Sequence, residues 1–360
     1  MALMRENTAE GDFENTRYSE HDRFFSEALQ GSRDEQIKMI ALIETALKSK
    51  TGRDMLQGAL QAGYVFSFEE GLDANSQSGA CDSGLKTIFI NPKCSVQAQL
   101  STLVHEACHA LQAERSVKYP SLLCVADQMK YHRAIEADAC AHECAFIYEI
   151  KDEHPEVRES ALSRGMPMYE TFERVLSETD DSVLAMGEAF KSWYDYPPYQ
   201  KAYDKWHKED VRIIAEHGLK KDYNGYFMKQ MPSEDVVKIC LYDGKSYISP
   251  DFLETPRAFS IPDADKKEIL EITSRYALLI GRLSCDRSVS KMFSREDPTG
   301  EKKHREETAL RHETAEKKDE TSVSPKTDLQ PAPSSENGKK RKDQSFWNKV
   351  RGKMIRFGGR

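Results

Sequence analysis

No stretch of this chain approaches the roughly 18 consecutive apolar residues that a membrane-spanning helix requires. With 31% charged residues against 39% hydrophobic ones, a transmembrane protein is excluded on this reading. The first thirty residues carry acids early and lack an apolar core of about 7 to 15 residues, so they do not read as a secretory signal and predict a cytoplasmic protein. Eight cysteines in 360 residues include no CxxC pair. They are too sparse for a disulfide scaffold and predict reduced, mostly buried thiols. Cys140 and Cys144, one helical turn apart, read as helix packing. A basic face is also missing from most of the chain: residues 1–285 hold 33 Lys and Arg against 47 Asp and Glu, which excludes general nucleic-acid affinity. Residues 286–360 reverse the balance, 19 against 13.

What is present divides into four segments. Residues 1–33 are polar and predict a flexible N-terminal segment. Residues 34–205 contain the strongest periodicities, and residues 206–288 predict a helical extension packed on them. Residues 289–360, rich in charge, Ser, Thr and Pro, cannot bury enough apolar surface to offset chain entropy and predict a disordered tail. Within the body, apolar spacing predicts helices at 34–48, around Met55 to Leu60, from Ser95 onward, at 122–150, and at 168–178, 182–194, 198–217 and 264–285. The β-rich runs Tyr64–Phe68 and Lys86–Asn91, with Asp82-Ser83-Gly84 as a turn between them, predict a small antiparallel sheet. A second hairpin is predicted over Ile239–Ile248, turning at Asp243-Gly244. The fold class is therefore α+β and mainly helical.

The chemistry centres on His105-Glu106-Ala107-Cys108-His109, an HExxH motif on an amphipathic helix. Residues i and i+4 of a helix share a face, so two imidazoles can converge on one ion at about 2.1 Å. Glu106 lies about 100° round the helix from His105, placed to act as a base rather than a ligand. Chance gives such a motif in about 2% of chains of this composition, so a structural helix with two solvent-facing histidines is a weak competitor. A zinc site needs a third protein ligand, and the next helix offers Glu136, flanked by Ala134, Ala137, Ala139 and Ala141, which permit close helix approach. A solvated surface glutamate is the plain reading of any one such residue, and Glu143 and His142 are alternative ligands.

HEACHALQ, with Glu136-Ala137-Asp138-Ala139 beginning 27 positions after His109 and Phe146 beyond, resembles the gluzincin pattern, and more closely a proteobacterial family of metallopeptidase domains. The resemblance covers about residues 50 to 205 and marks 34–205 as a zincin-like domain. It implies that His105, His109 and Glu136 hold one Zn2+, that Glu106 is the catalytic base, and that the substrate is a protein or peptide. One departure stands out: where some gluzincins carry an acid four residues after the ligand glutamate, this chain has Cys140, which leaves Asp138 or a backbone carbonyl to orient a histidine. Tyr199, Tyr203 and His207 are candidates to stabilise an oxyanion, with aromatic core packing as the alternative for each tyrosine. A zincin-like binding module without catalysis is the competing function.

The tail adds a separate feature. Residues 339–360 carry nine Lys and Arg against one acid, with Phe346, Trp347, Val350, Met354 and Phe357 at helical spacing. A basic amphipathic helix suits an anionic membrane surface or an acidic partner groove, while a solvated cationic tail is the plain alternative. It also loosely resembles the C-terminal export signals of some bacterial effectors.

Overall fold

The computed structural model describes residues 28–73, 77–116, 120–221 and 225–283, with side chains described as far as residue 276. The N-terminal segment before residue 28, Cys285 and the whole basic tail lie outside the described residues. Among the described residues no helix is long and apolar enough to cross a membrane.

Two capped helices open the fold. Ser32 caps α1 (Arg33–Ala46) in a reciprocal capping box with Glu35, and Ser49 caps α2 (Lys50–Gln61) by accepting from the Gly52 amide. The chain then builds β1 (Val65–Phe68), β2 (Gly79–Asp82) and β3 (Thr87–Ile90) in the order β1-β3-β2. The predicted turn is present: Asp82 Oδ1 accepts from the Gly84 and Leu85 amides and carries the chain from β2 into β3. The pairing differs from the expectation, however. The sheet is mixed, with β2 antiparallel and β1 parallel to β3. The expectation missed β2, whose Gly-Ala-Cys-Asp sequence has little β propensity and becomes a strand because all four residues are buried. With β2 as the hairpin partner of β3, the remaining edge is left for β1.

The sheet leads into α3 (Val96–Arg115), capped by Ser95 through the Ala98 amide. A short 3-10 turn (Pro120–Leu122) precedes α4 (Val125–Ile150), which is buried on nearly every side and runs through the middle of the molecule. Helices α3 and α4 approach closely because their facing positions are small: Ala107, Ala110, Ala134, Ala137 and Ala141 have no exposed surface. Around this pair pack α5 (Pro155–Ser163), α6 (Pro167–Thr179), α7 (Ser182–Trp193) and α8 (Pro197–Lys221). Helix α8 is continuous across residues 205 and 206, and its Val211, Ile214 and Ala215 join a smaller core with Val125, Ile269 and Tyr276.

The remainder is a set of short elements, α9 (Ser233–Val237), β4 (Leu241–Tyr242), β5 (Lys245–Ser246), α10 (Pro250–Leu253) and α11 (Pro256–Phe259), ending in α12 (Asp263–Leu283). The β4–β5 hairpin turns where the sequence predicts, with both Asp243 (φ 49°) and Gly244 (φ 72°) left-handed, the requirement of a two-residue type I′ turn. Buried charges tie this region to α4: Lys130 donates to the Met231 carbonyl at 2.8 Å and pairs with Asp127 at 3.1 Å, and Arg133 donates to the Ser260 carbonyl at 3.0 Å.

Candidate metal centre

One turn of α3 carries His105, Glu106 and His109, and the facing turn of α4 carries Glu136. These four are 2%, 0%, 3% and 8% exposed. The two Nε2 atoms lie 3.1 Å apart, and Glu136 Oε2 is 3.4 Å from His109 Nε2 and 3.7 Å from His105 Nε2. The sequence-predicted trio is thus brought together in space.

Hydrogen bonding on the far side of each ring decides what these three atoms can hold. Gln112 donates through Nε2 to the Ile135 carbonyl at 2.8 Å and to Asp138 Oδ2 at 2.6 Å, so its Oε1 is the atom that faces His109 Nδ1 at 2.7 Å and accepts from it. His105 Nδ1 faces Glu143 Oε2 at 3.4 Å, also an acceptor. With its proton held at Nδ1, His109 turns its Nε2 lone pair toward the seat shared with Glu136; His105 Nδ1 makes no hydrogen bond among the described residues, and in its Nδ1–H tautomer His105 adds a second lone pair there. Three convergent acceptors call for a cation between them. Donors about 2.0 to 2.1 Å from a common tetrahedral ion stand roughly 3.3 to 3.4 Å apart, and the three separations of 3.1, 3.4 and 3.7 Å bracket that value. Residues and metal fit.

Without a cation in the seat, the surrounding acids favour positive charge on the rings themselves. Burial opposes charge on His105, but Cys140, Glu136 and Glu143 outweigh it and hold its pKa well above the ordinary value. His109 is likewise raised, burial being overcome chiefly by Glu136. Glu136 itself is pulled down to about 2, because the two imidazoles outweigh its burial. Glu106 behaves differently: burial pushes it up to about 8, and neither of its oxygens has a hydrogen-bond partner. Its neighbour across the sheet edge is Gly79, where a Cβ would stand 3.0 Å from Glu106 Cγ and 2.5 Å from Thr102 Cγ2. Strand β2 therefore packs directly on Glu106.

Several residues take places that the sequence did not assign. Glu143, weighed as an alternative ligand, sits on the opposite nitrogen of His105 and is held at about 2, since His105 and Arg164 outweigh its burial. His142 turns away, with Nδ1 2.9 Å from the Asp138 carbonyl oxygen. Asp138 acts one step removed, accepting from Gln112 and from Tyr247 at 2.6 Å. Cys140 lies beside His105, and His105, Cys140 and Glu143 form a second set of three donors within ligating reach of one another. Tyr203 faces Glu136, and Tyr199 lies near Cys140 and Glu143. His207 is not at the centre: it pairs with His132, ring centroids 5.1 Å apart.

Comparison with known families now bears on this arrangement. A model described as "Putative metallopeptidase family (DUF6782)" matches residues 26–217. The chain belongs to this family. The matched span of DUF6782 runs from before α1 to within α8 and so includes His105, Glu106, His109, Glu136 and Glu143. The family's description points to a metal and to peptide hydrolysis. No curated protein and no solved structure matches the chain.

Proposed function

We propose that this protein is a zinc-dependent peptidase of the gluzincin type, with His105, His109 and Glu136 as the metal ligands and Glu106 as general base. The observation that carries the reading is the convergence of two imidazole lone pairs and one carboxylate oxygen at tetrahedral spacing, beside a fully buried carboxylate with no partner. When bound, zinc supplies Lewis-acid polarisation of a carbonyl and lowers the pKa of water to about 7.

The chain's own residues divide the remaining work. Glu106 accepts the proton of the attacking water and can hand it to the leaving amine; a cation in the adjacent seat draws its pKa down from the raised value it has alone. Gln112 fixes the tautomer of His109, and the Glu143 carboxylate, 3.4 Å from His105 Nδ1, favours a proton on that nitrogen, which keeps both Nε2 atoms free for the metal. Tyr203, beside Glu136, and Tyr199, one turn earlier on α8 and near Cys140 and Glu143, are the phenols assigned to steady a developing oxyanion.

Glu106→Gln tests the reading. The variant should keep metal at the wild-type level and lose peptide hydrolysis by about 10² to 10⁴-fold. Hydrolysis that persists in Glu106→Gln would leave the competing reading, a zincin-like binding module, as the better account.

A further inference from the structure

A cleft of about 660 Å³ opens between the first turns of α8, the α11 segment and the start of α12. That volume lies within the ~300 to 1,000 Å³ of small-molecule sites. None of its lining residues belongs to the metal centre, although two of them, Arg133 and Asp204, stand close in sequence to Glu136 and Tyr203. Five of the charged side chains lining it are cations and two are anions. In a chain whose first 285 residues are strongly acidic, this is a local reversal of sign.

The two anions are already engaged. Asp204 takes a two-pronged bond from Arg133, at 3.0 and 2.6 Å, and Asp265 accepts from Lys208 at 2.6 Å. Arg257 pairs with Asp195 and donates to the Lys191 carbonyl at 2.9 Å. Lys201 and Lys205 remain: exposed, one turn apart on α8, and with no ion-pair partner among the described residues. An anion entering the cleft meets two ammonium groups without breaking an existing pair.

We propose that this cleft binds a small organic diphosphate. Side chains at i and i+4 lie about 6 Å apart at Cβ, so the two lysines can each meet one of two adjacent phosphates. Lysine ammoniums are point charges suited to phosphate oxygens rather than to the planar fork of a carboxylate. Tyr194 lines the wall, and its hydroxyl, without a hydrogen-bond partner among the described residues, offers a polar contact for the organic part of the ligand.

The test is calorimetric titration of the full-length protein with ADP, with inorganic pyrophosphate and with citrate. The expected result is saturable binding of one ADP or one pyrophosphate per chain, weakened at least tenfold in both Lys201→Glu and Lys205→Glu. Because both side chains are exposed, these variants should keep the wild-type circular dichroism; Lys201→Ala and Lys205→Ala, which add no opposing charge, should weaken binding by a smaller factor in the same order. Absence of saturable phosphate binding, binding unaffected by the lysine changes, or citrate binding as tightly as pyrophosphate would each overturn the proposal. Peptide hydrolysis is not the readout, so the outcome is independent of the metal centre.

Discussion

Gln112 offers the sharpest perturbation of the centre that leaves every ligand in place. Its amide bridges two helices: Oε1 accepts from His109 Nδ1 at 2.7 Å, while Nε2 donates to the Ile135 carbonyl and to Asp138 at 2.8 and 2.6 Å. Gln112→Ala removes all three contacts from a site only 2% exposed. Groups that orient a metal-bound histidine are typically worth about 10 to 100-fold in affinity, or ~1.4 to 2.8 kcal/mol. The short bond to His109 puts Gln112 at the upper end of that range. Glu143, 3.4 Å from His105 Nδ1, belongs at the lower end. The expected order of zinc affinity is therefore wild type, Glu143→Gln, then Gln112→Ala, measured by competition with a chromophoric chelator. Urea unfolding of the metal-free proteins should show Gln112→Ala less stable by ~1 to 3 kcal/mol, because buried Asp138 and the Ile135 carbonyl each lose one donor. An affinity for Gln112→Ala within twofold of wild type would refute the reasoning, since His109 would then not depend on that bond for its tautomer.

Two further predictions follow from the packing around the centre. Gly79→Ala forces a Cβ toward Thr102 Cγ2 and the Phe89 carbonyl oxygen at 2.5 and 2.9 Å, and should destabilise the fold by ~1 to 3 kcal/mol in urea titrations while leaving zinc stoichiometry unchanged; a neutral change would mean that β2 moves freely away from α3. His132 and His207 should each lower the stability of the metal-free protein as the pH drops below about 6.5, against the opposite contribution of Glu106, whose raised pKa favours the folded state there. Burial, partly offset by Glu136, holds His132 at about 4, and burial with His132 and Arg133 holds His207 well below its ordinary value. Both are neutral when folded but bind protons when unfolded, so acid favours the unfolded chain, by on the order of 3 kcal/mol for His132 across the full window. His207→Leu should flatten the decline of urea midpoints between about pH 7 and pH 5; an unchanged slope would count against this origin.

How far the sequence reveals this molecule depends on the range of the interaction involved. The long helices were legible because their cores repeat at helical spacing, and the β4–β5 turn because Asp243-Gly244 supplies two left-handed positions. The strand Gly79–Asp82 was not, since its conformation comes from burial against α3 and β3 rather than from its own residues. At the centre, local spacing suggested His105, Glu106 and His109, and the small residues around Glu136 suggested a close helix pair. Glu143 could be read from the sequence only as a rival ligand, because one-dimensional spacing puts it on the same face of α4 as Glu136, two turns further on, without saying which nitrogen of His105 it meets. Gln112, three residues past His109, had the right spacing to be noticed, but only the position of Asp138 on the neighbouring helix fixes the orientation of its amide.

X-ray absorption at the zinc edge of the metal-loaded protein tests the central claim most directly, because two donor sets share His105. One is His105, His109 and Glu136; the other is His105, Cys140 and Glu143. The account predicts a first shell of nitrogen and oxygen alone at about 2.0 to 2.1 Å, with the outer-shell signature of two imidazoles. A sulfur scatterer at about 2.3 Å would place the ion with Cys140 and contradict it.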